Sequence, residues 1–247
     1  MATTTVSPGS PGAAWRRVGA FCLDVLFPPV CGGCGRVGVL LCPACVVRLV
    51  PVAGPICLCC GRALDRAADI AGGLCRDCAA TPPLLAQMRA PLRYAEPASS
   101  LIHRLKYEGC FALGPALAGV LIDGWPRWPS PPDLIVPIPL HPRRRRQRGY
   151  NQSELLARPL AAAVGVGYSA TALQRTRHTP PQVGLGPEAR AANVQGAFTA
   201  APAEAHGRAI VLIDDVLTTG ATMTAAAGAL LAAGAATVSA YCLARVS

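Results

Sequence analysis

One segment near the C-terminus of this 247-residue chain passes from a predicted buried strand into a predicted helix through a short polar loop. The strand is the apolar run Ile210–Ile213, and the helix covers Thr222–Ala233 until Gly234 ends it. Asp214 and Asp215 follow the strand directly. Because open α/β sheets bind ligands at the carboxyl ends of their strands, this order predicts an α/β fold with a ligand site at the edge of a mainly parallel sheet.

The loop that follows the two acids has the chemistry of a phosphate site. It consists of Thr218, Thr219, Gly220, Ala221 and Thr222. Helix N-termini offer backbone N–H groups to an anion, the glycine lets the backbone approach it, and the hydroxyls add donors. The paired carboxylates would repel a phosphate but suit ribose hydroxyls, so we predict a sugar phosphate as the ligand. An ordinary turn with helix caps is the alternative, although a single capping residue would be enough for that.

Strands and helices alternate from about residue 88 to the end of the chain. The predicted strands are 88–94, 133–139, 210–213 and 237–243, and the predicted helices are 99–107, 111–122, 151–164 and 222–233. Such alternation predicts a parallel sheet with helices on both faces. Neither G-x-G-x-x-G nor G-x-x-x-x-G-K-[ST] occurs in this part of the chain, which counts against a dinucleotide-binding fold and a P-loop.

The N-terminal part carries four C-x-x-C pairs, which predicts metal binding. The pairs are Cys31/Cys34, Cys42/Cys45, Cys57/Cys60 and Cys75/Cys78. Each pair places two thiolates on one tight turn, so two pairs supply the four ligands of a tetrahedral Zn²⁺. The pattern predicts two zinc ions with a structural role, because four thiolates leave no open position for a catalytic water.

The spacing of the cysteines leaves their pairing open. Sequential pairing would join the first four in one site and the last four in the other, whereas cross-brace pairing would join Cys31 and Cys34 with Cys57 and Cys60; we favour the sequential arrangement. Cys59 could replace Cys57 or Cys60 as a ligand, or could take no part in metal binding. Clustered thiols, together with the lack of an evident signal peptide or membrane span in the sequence, predict a reducing, cytoplasmic location.

The charge of the chain favours an anionic partner. The net charge is +10, and Lys106 is the single lysine among 23 basic residues. Arginine presents a planar fork that suits phosphates, and five arginines fall within Arg143–Arg148. A solvated loop is the plain alternative for this run, and a compositional bias toward Arg and Ala could explain part of the charge. His141 has no carboxylate near it in the sequence, so we interpret it as a structural or phosphate-contacting residue.

The segment 211–222 resembles the phosphoribosyl diphosphate (PRPP) motif of type I phosphoribosyltransferases. From about residue 20 to the C-terminus, the chain is similar to the ComF family, proteins linked to DNA uptake in natural competence. The elements that carry this similarity are Leu26–Cys34, Leu105–Gly109, Pro137–His141, Arg148–Gln152, Leu173–Arg177 with Thr179 and Gln182, and Arg190 and Asn193 with Gly196–Phe198. Tyr150 occupies a position where Phe is common in the family.

The resemblance implies a domain organisation and a fold. It implies a double zinc ribbon over 20–80 and a phosphoribosyltransferase-like domain over 88–247. The residues before them, 1–19, begin with small and polar residues that predict a flexible tail. The fold class implied for the larger domain is α/β, of the type I phosphoribosyltransferase kind, with a mainly parallel sheet flanked by helices. The smaller domain would be a cysteine-rich ribbon held by zinc.

The resemblance also implies roles for the acids and the loop. Asp214 and Asp215 would bind the ribose hydroxyls and stabilise the charge that develops during transfer. The residues from Thr218 to Thr222 would bind the 5′-phosphate. Mg²⁺ would bridge the diphosphate and the ribose, as such substrates require.

On the diphosphate side of the site, the resemblance implies a second group of residues. Pro137–His141 would form the pyrophosphate loop, with Pro139 and His141 contacting the substrate. Lys106 and Arg148 would contact the pyrophosphate itself.

Two functions follow as expectations from this resemblance. The first is an enzyme that binds PRPP or a related nucleotide and transfers a phosphoribosyl group. Such an enzyme is a glycosyltransferase that transfers pentosyl groups, and it would be associated with DNA uptake. The second is a non-catalytic adaptor that uses the zinc domain and the Arg143–Arg148 run to engage single-stranded DNA and competence proteins. The acceptor of a transfer reaction is not evident from the sequence.

Overall fold

The computed structural model describes residues 28–65, 69, 72–179 and 186–246. The predicted tail (1–19), the first residues of the predicted zinc domain and Gln182 lie outside the described residues.

Short helices and strands alternate along the described chain. The strands are β1 (Met88–Arg89), β2 (Leu92–Arg93), β3 (Leu134–Pro137), β4 (Gly167–Tyr168), β5 (Leu173–Arg175), β6 (Phe198–Ala200), β7 (Ala209–Leu217) and β8 (Thr237–Arg245). The helices are α1 (Pro43–Val47), α2 (Arg76–Ala80), α3 (Ala98–Tyr107), α4 (Leu113–Asp123), α5 (Pro142–Arg148), α6 (Gln152–Val164), α7 (Pro187–Val194), α8 (Pro202–Ala205) and α9 (Ala221–Ala232).

The main sheet of the described residues is parallel throughout. Its strand order is β1-β8-β7-β3-β4, and β2 also pairs with β8. β7 and β8 are apolar over most of their length and lie at the centre, where neighbours on both edges satisfy their backbone groups. β5 and β6 form a separate antiparallel pair. The predicted parallel α/β fold is therefore confirmed.

Helices cover the central sheet on both faces. On one face, buried Leu and Ala side chains of α3, α4 and α6 pack on Val211, Ile213 and Leu243. On the other face, α9 packs on Leu212 and Val238. Alternate residues of β7 thus point to opposite cores, which is the period-two pattern of a strand buried on both faces.

The strand that leads to the two acids is longer than its sequence predicts. We predicted that it ends at Ile213, but β7 continues through both acids to Leu217. Pairing with β3 stops at Ile213, whereas pairing with β8 continues to Leu217 opposite Arg245. Because β8 supplies hydrogen-bond partners along one edge, the acids stay in extended backbone while their other edge opens toward the carboxyl end of the sheet.

The predicted strand 88–94 is divided in two. β1 and β2 both pair with β8, and Pro91 lies between them. Proline has no N–H to donate to a ladder, so pairing is interrupted there. The carbonyl of Pro91 instead accepts a hydrogen bond from Val52 N at 2.9 Å, which attaches the chain after the first cysteine cluster to the sheet.

Candidate functional site

The two acids at the end of β7 have different partners. Asp214 Oδ1 accepts hydrogen bonds from Ser153 Oγ at 2.7 Å and from the backbone N–H of Asp215 at 2.9 Å. Asp215 Oδ1 lies 2.7 Å from Lys106 Nζ, and the Asp215 side chain is only 3% exposed. Asp215 Oδ2 is buried and has no hydrogen-bond partner among the described residues. The site thus holds one carboxylate oxygen ready to accept a further donor.

The electrostatics of this group differ from those of exposed side chains. Burial, followed by the neighbouring charge of Asp215, raises the pKa of Asp214 to about 7, although Lys106 and Ser153 oppose the shift. Burial lowers the pKa of Lys106, but the two carboxylates outweigh it, and the pKa lies above its ordinary value. Two acids close together cannot both ionise freely, and the lysine charge compensates in part.

The loop after β7 turns sharply into α9. Gly220 is the residue before α9 and has a φ of +82°, a left-handed conformation that favours glycine. Thr219 is exposed, and its Oγ1 accepts from Ala221 N at 3.4 Å. The predicted change from strand through a hydroxyl-rich loop to helix is therefore observed, with the loop shortened because β7 extends to Leu217.

A cavity of about 520 Å³ opens beside the acids and the start of α9. Of the predicted site residues, eight line it: Lys106, Arg148, Asp214, Asp215, Thr218, Gly220, Ala221 and Thr222. The structure therefore brings together residues from α3, α5, β7 and α9 around one space. A volume of this size is typical of a small-molecule site.

Three predicted site residues do not line this cavity. They are Thr219, Pro139 and His141. The ring of His141 instead accepts from Arg143 N at 3.3 Å and caps α5, and it also contacts the ring of His178 at a centroid distance of 5.1 Å. The neighbouring Ile138 and Leu140 do face the cavity, so the predicted loop borders it through other side chains.

Two cavity arginines were not singled out as site residues from the sequence. Arg175, from β5, lines the cavity with a buried Nε that has no partner among the described residues, and its Nη2 donates to Thr179 Oγ1 at 2.5 Å. Arg144, from α5, lines it too. Arg175 lies within Leu173–Arg177, one of the elements that carry the resemblance to the ComF family, so the sequence could have indicated it. Which arginines of α5 face the cavity depends on the rotation of that helix, and the sequence alone does not give it for Arg144.

The arginine-rich run Arg143–Arg148 lies in a helix, α5, and not in the loop considered as an alternative from the sequence. α5 begins at Pro142 after the His141 cap and ends at Gly149, whose φ is +83°. Arg148 turns toward the cavity, donating to Gln152 Oε1 at 2.5 Å and lying 5.3 Å from the ring centroid of Tyr107. Helical periodicity thus divides the run, so that some arginines face the cavity and others face solvent.

The eight cysteines of the four pairs form two separate clusters. They are Cys31, Cys34, Cys42 and Cys45 in one, and Cys57, Cys60, Cys75 and Cys78 in the other, with the sulfur atoms of each cluster within 4.8 Å of one another. The sequential pairing is therefore confirmed over the cross-brace. Cys59 is not a member of either cluster.

The distances within each cluster fit zinc. The Sγ atoms of Cys34 and Cys42 are 3.6 Å apart, and those of Cys60 and Cys75 are 3.7 Å apart. A tetrahedral ion with Zn–S bonds of about 2.3 Å separates its sulfurs by about 3.8 Å. These distances exclude disulfides, whose sulfurs lie about 2 Å apart. Two sets of four thiols in this arrangement are consistent with two structural zinc sites.

The two zinc ribbons repeat one local design. In each, the first cysteine begins a turn in which a left-handed glycine donates back to it: Gly35 N to Cys31 O and Gly61 N to Cys57 O, both at 2.9 Å. Each third cysteine precedes a short helix that carries the fourth, α1 after Cys42 and α2 after the corresponding residue of the second ribbon.

The parallel sheet, the acids and hydroxyls at its carboxyl edge, and the two thiol clusters together define a phosphoribosyltransferase-like protein with an attached double zinc ribbon. Family models agree: residues 22–79 match the double zinc ribbon domain, and residues 151–247 match the phosphoribosyl transferase domain. The chain belongs to the ComF family, as its similarity to several full-length relatives shows.

Three of these relatives illustrate the extent of the similarity. DNA utilization protein YhgH of Salmonella typhi is 35% identical over 87% of this chain and 88% of its own length. Competence protein F of Haemophilus influenzae is 32% identical over 74% of this chain and 80% of its own length. Competence protein ComFC of Bacillus subtilis is 30% identical over 83% of this chain and 84% of its own length. Among solved structures, adenine phosphoribosyltransferase from Leishmania tarentolae is 19% identical, with a TM-score of 0.33. The match covers 57% of this chain and 58% of that protein.

In the described part of the chain, no helix combines the length and the apolar character that crossing a bilayer requires.

Proposed function

We propose that the cavity at the end of β7 binds phosphoribosyl diphosphate together with Mg²⁺, and that the protein transfers the phosphoribosyl group to an acceptor. The observation that carries this proposal is the unpartnered Asp215 Oδ2 beside the start of α9. A buried carboxylate oxygen without a donor is costly, and a ribose hydroxyl is a donor of the right kind. The adjacent loop supplies the helix start that favours a phosphate.

The basic residues of the cavity suit it to a diphosphate. Arg144, Arg148 and Arg175 line it together with Lys106, so four cations face a site that contains two acids. The buried, unpartnered Nε of Arg175 is a donor that a diphosphate oxygen would satisfy. The cavity thus offers cations for a diphosphate as well as acids for a ribose.

The site is also suited to a magnesium-bound donor. Carboxylate and phosphate oxygens are the ligands that Mg²⁺ prefers, and Asp214 and Asp215 provide the protein's share. When bound, the ion would neutralise part of the diphosphate charge. Lys106 would remain close to both carboxylates or move onto the diphosphate, since its side chain is 22% exposed and reaches the cavity.

The proposed reaction breaks the bond between the anomeric carbon and the diphosphate oxygen. The electron pair of that bond leaves with pyrophosphate, and the acceptor nucleophile forms the new bond to the anomeric carbon and loses its proton. Positive charge develops on the ribose ring as the bond breaks, and the carboxylates of Asp214 and Asp215 stabilise it electrostatically. The cationic residues stabilise the departing pyrophosphate.

A calorimetric titration of the zinc-loaded protein with the donor and Mg²⁺ tests binding. We expect saturable binding that is lost in Asp215→Asn and strongly weakened in Asp214→Asn. Asp133→Asn is the matched control, because Asp133 lies at the amino end of β3 and accepts from Ala209 N, away from the cavity. Equal donor affinity in the wild type and both site variants would overturn the proposal. Pyrophosphate release in the presence of candidate acceptors then separates transfer from binding alone.

A second candidate function is a single-stranded DNA-binding adaptor in DNA uptake, which the names of the relatives suggest. The observation that favours it is the outer face of α5, where Arg143 and Arg146 are exposed to solvent while Arg145 pairs with Glu154 at 2.7 Å. Exposed arginines can contact a phosphate backbone without sequence preference. This face is separate from the cavity, so both functions can occur in one protein.

We place this function in the cytoplasm. The described cysteines are all free thiols, including Cys59, Cys110 and Cys242, which belong to neither cluster. A reducing compartment keeps such thiols from forming disulfides and leaves the clustered ones available to zinc. Localisation of a tagged chain by cell fractionation tests this placement.

A further inference from the structure

The second zinc ribbon contacts β1 and β8, two strands that lie beside the loop between β7 and α9. This loop, Leu217–Gly220, is called the nucleotide loop here. The carbonyl of Cys59 accepts a hydrogen bond from Met88 N at 2.7 Å, at the start of β1. A Cβ on Gly61 would collide with Met88 O, so the turn of the ribbon lies directly against the backbone of β1. Met88 also lies beside the loop, since its Sδ is 3.5 Å from the position that a Cβ on Gly220 would take and it shares a buried core with Leu217.

A second contact runs through the end of β8. Arg245 is 7% exposed, and its Nη1 donates to Cys60 O at 2.5 Å. In the sheet, Arg245 is the partner of Leu217, the residue just before the loop, and Val246 N donates to Leu217 O at 2.9 Å. The second ribbon is thus connected to both ends of Leu217–Gly220, through Met88 at one end and Arg245 at the other.

The second ribbon and the strands it contacts carry opposite charges where they meet. Zn²⁺ with four thiolates carries a net charge of −2, which a buried site needs to have compensated. Arg89 donates from Nη2 to Leu58 O at 2.8 Å and from Nη1 to Met88 O at 2.8 Å, and it lies over the turn that contains Cys57. Arg89 and Arg245 therefore bring two positive charges to the side of the ribbon that faces the sheet.

The first ribbon packs on a different part of the described structure: Gly32 lies so close to Leu101 and Leu113 of α3 and α4 that a Cβ there would collide with them. Its buried cysteines form a small cluster with Leu41, which also packs against the core beneath α3 and α4, whereas the cysteines of the second ribbon belong to the same core as Leu217 and Met223. The first ribbon contacts α3 through a hydrogen bond from Arg104 Nη1 to Gly32 O at 2.8 Å. A Cβ on Gly35, which corresponds to Gly61, would meet nothing within 4 Å.

We propose that the second zinc ribbon, but not the first, is a positioning element of the nucleotide loop, acting through Met88 and through Arg89 and Arg245 as charge partners of its zinc–thiolate cluster. Separating the second ribbon from the sheet would loosen Leu217–Gly220 while the rest of the sheet stays folded. The importance of this loop for a ligand rests on the proposed function. The coupling between ribbon and loop is a property of the protein without ligand and can be measured separately.

The test compares Gly61→Ala with Gly35→Ala in the full-length protein. Both glycines have a positive φ, +70° and +77°, so alanine introduces similar backbone strain at each, but only at Gly61 does the new methyl collide with Met88 O. We expect hydrogen exchange of the 217–223 peptide, without ligand, to accelerate by about tenfold or more in Gly61→Ala and to stay within about twofold of wild type in Gly35→Ala. Zinc content is measured in both variants and should remain two per chain.

A second pair of variants keeps the test decisive if Gly61→Ala does not fold. Arg245→Gln removes the charge and shortens the side chain, so that its donor no longer reaches Cys60 O, and Arg104→Gln does the same at Gly32 O of the first ribbon. We expect Arg245→Gln alone to accelerate exchange of the 217–223 peptide and to speed zinc release from the second cluster. Equal exchange in both variants of a pair, or unchanged exchange with a folded Gly61→Ala, would overturn the proposal. Because donor binding is not used, failure of the proposed function would leave this result unaffected.

Discussion

Lys106 Nζ and Asp215 Oδ1 lie 2.7 Å apart, with the lysine reaching from α3 to an aspartate that is 3% exposed at the end of β7. The pair connects two elements that are distant in the sequence and neutralises a carboxylate that the fold buries. It also occupies the edge of the cavity, so a ligand that binds Asp215 must share or displace the lysine.

The first prediction concerns this ion pair. Lys106→Met leaves Asp215 buried without its charge partner, and we expect the free energy of unfolding to fall by about 3–5 kcal/mol. Adding Asp215→Asn should recover much of this loss, because the uncompensated charge is then removed. Denaturant unfolding of the two single variants and the double variant gives the coupling energy. Losses that simply add would show that the two side chains do not interact in solution.

The second prediction concerns pH. Because burial raises the pKa of Asp214 to about 7, its carboxylate forms only as the pH rises through that value. In the proposed function this carboxylate accepts ribose hydroxyls, so affinity for the donor should increase from pH 6 to 8. The same shift makes this group's contribution to folding stability decrease as the pH rises from about 4, its ordinary range, through 7. Calorimetric titrations across this range measure the inflection, which should be absent in Asp214→Asn.

A matched pair of serine variants assigns this inflection. Ser153 Oγ donates to Asp214 Oδ1 and favours the ionised form, so Ser153→Ala should move the inflection to higher pH. Ser169→Ala is the control, since Ser169 bonds to Glu204 and lies outside the cavity lining. An inflection that moves equally in both variants would not belong to Asp214.

The third prediction concerns zinc release. Cys34 of the first cluster is exposed, whereas all four cysteines of the second cluster are buried. A chromogenic chelator should therefore remove two zinc ions per chain in two phases, with the first cluster emptying faster. In Cys34→Ser the fast phase should be lost or greatly accelerated while the slow phase is unchanged. Release in a single phase from the wild type would contradict this order.

The fourth prediction concerns the outer face of α5. Arg143→Gln with Arg146→Gln should weaken binding of single-stranded DNA and reduce the dependence of log K on log salt by about 0.7 for each phosphate that the protein no longer neutralises. Arg158→Gln, an exposed arginine of α6, is the matched control. Donor binding should be unaffected in the double variant, because neither arginine lines the cavity. An unchanged salt dependence would remove the support for the adaptor function.

The sequence predicted well those features that depend on neighbouring residues. The change from β7 through the threonine loop to α9 is local, and so is the sequential grouping of the cysteines, since each turn brings its own two thiols together. The end of β7 was predicted wrongly because its continuation depends on hydrogen bonds from β8, a partner that the acids themselves do not reveal.

The remaining parts of the site could not be predicted because they depend on packing between distant elements. Arg175 reaches the cavity from the β5–β6 pair, and Lys106 pairs with one acid and not the other only because α3 packs beside β7. His141, interpreted from the sequence as a structural or phosphate-contacting residue, caps α5, since a proline after it begins a helix. The assignment of the individual residues to ligand atoms stays a prediction.

The position of Lys106 in the cavity makes its amino group a chemical probe of ligand binding. It carries the only ε-amino group of the protein, and that group faces the cavity. An acylating or reductively alkylating reagent therefore has one lysine to modify, and the extent of modification reports whether the pocket is filled. The modified fraction of the peptide that contains Lys106, measured by mass spectrometry, therefore reports how far any small molecule offered to the protein fills the cavity.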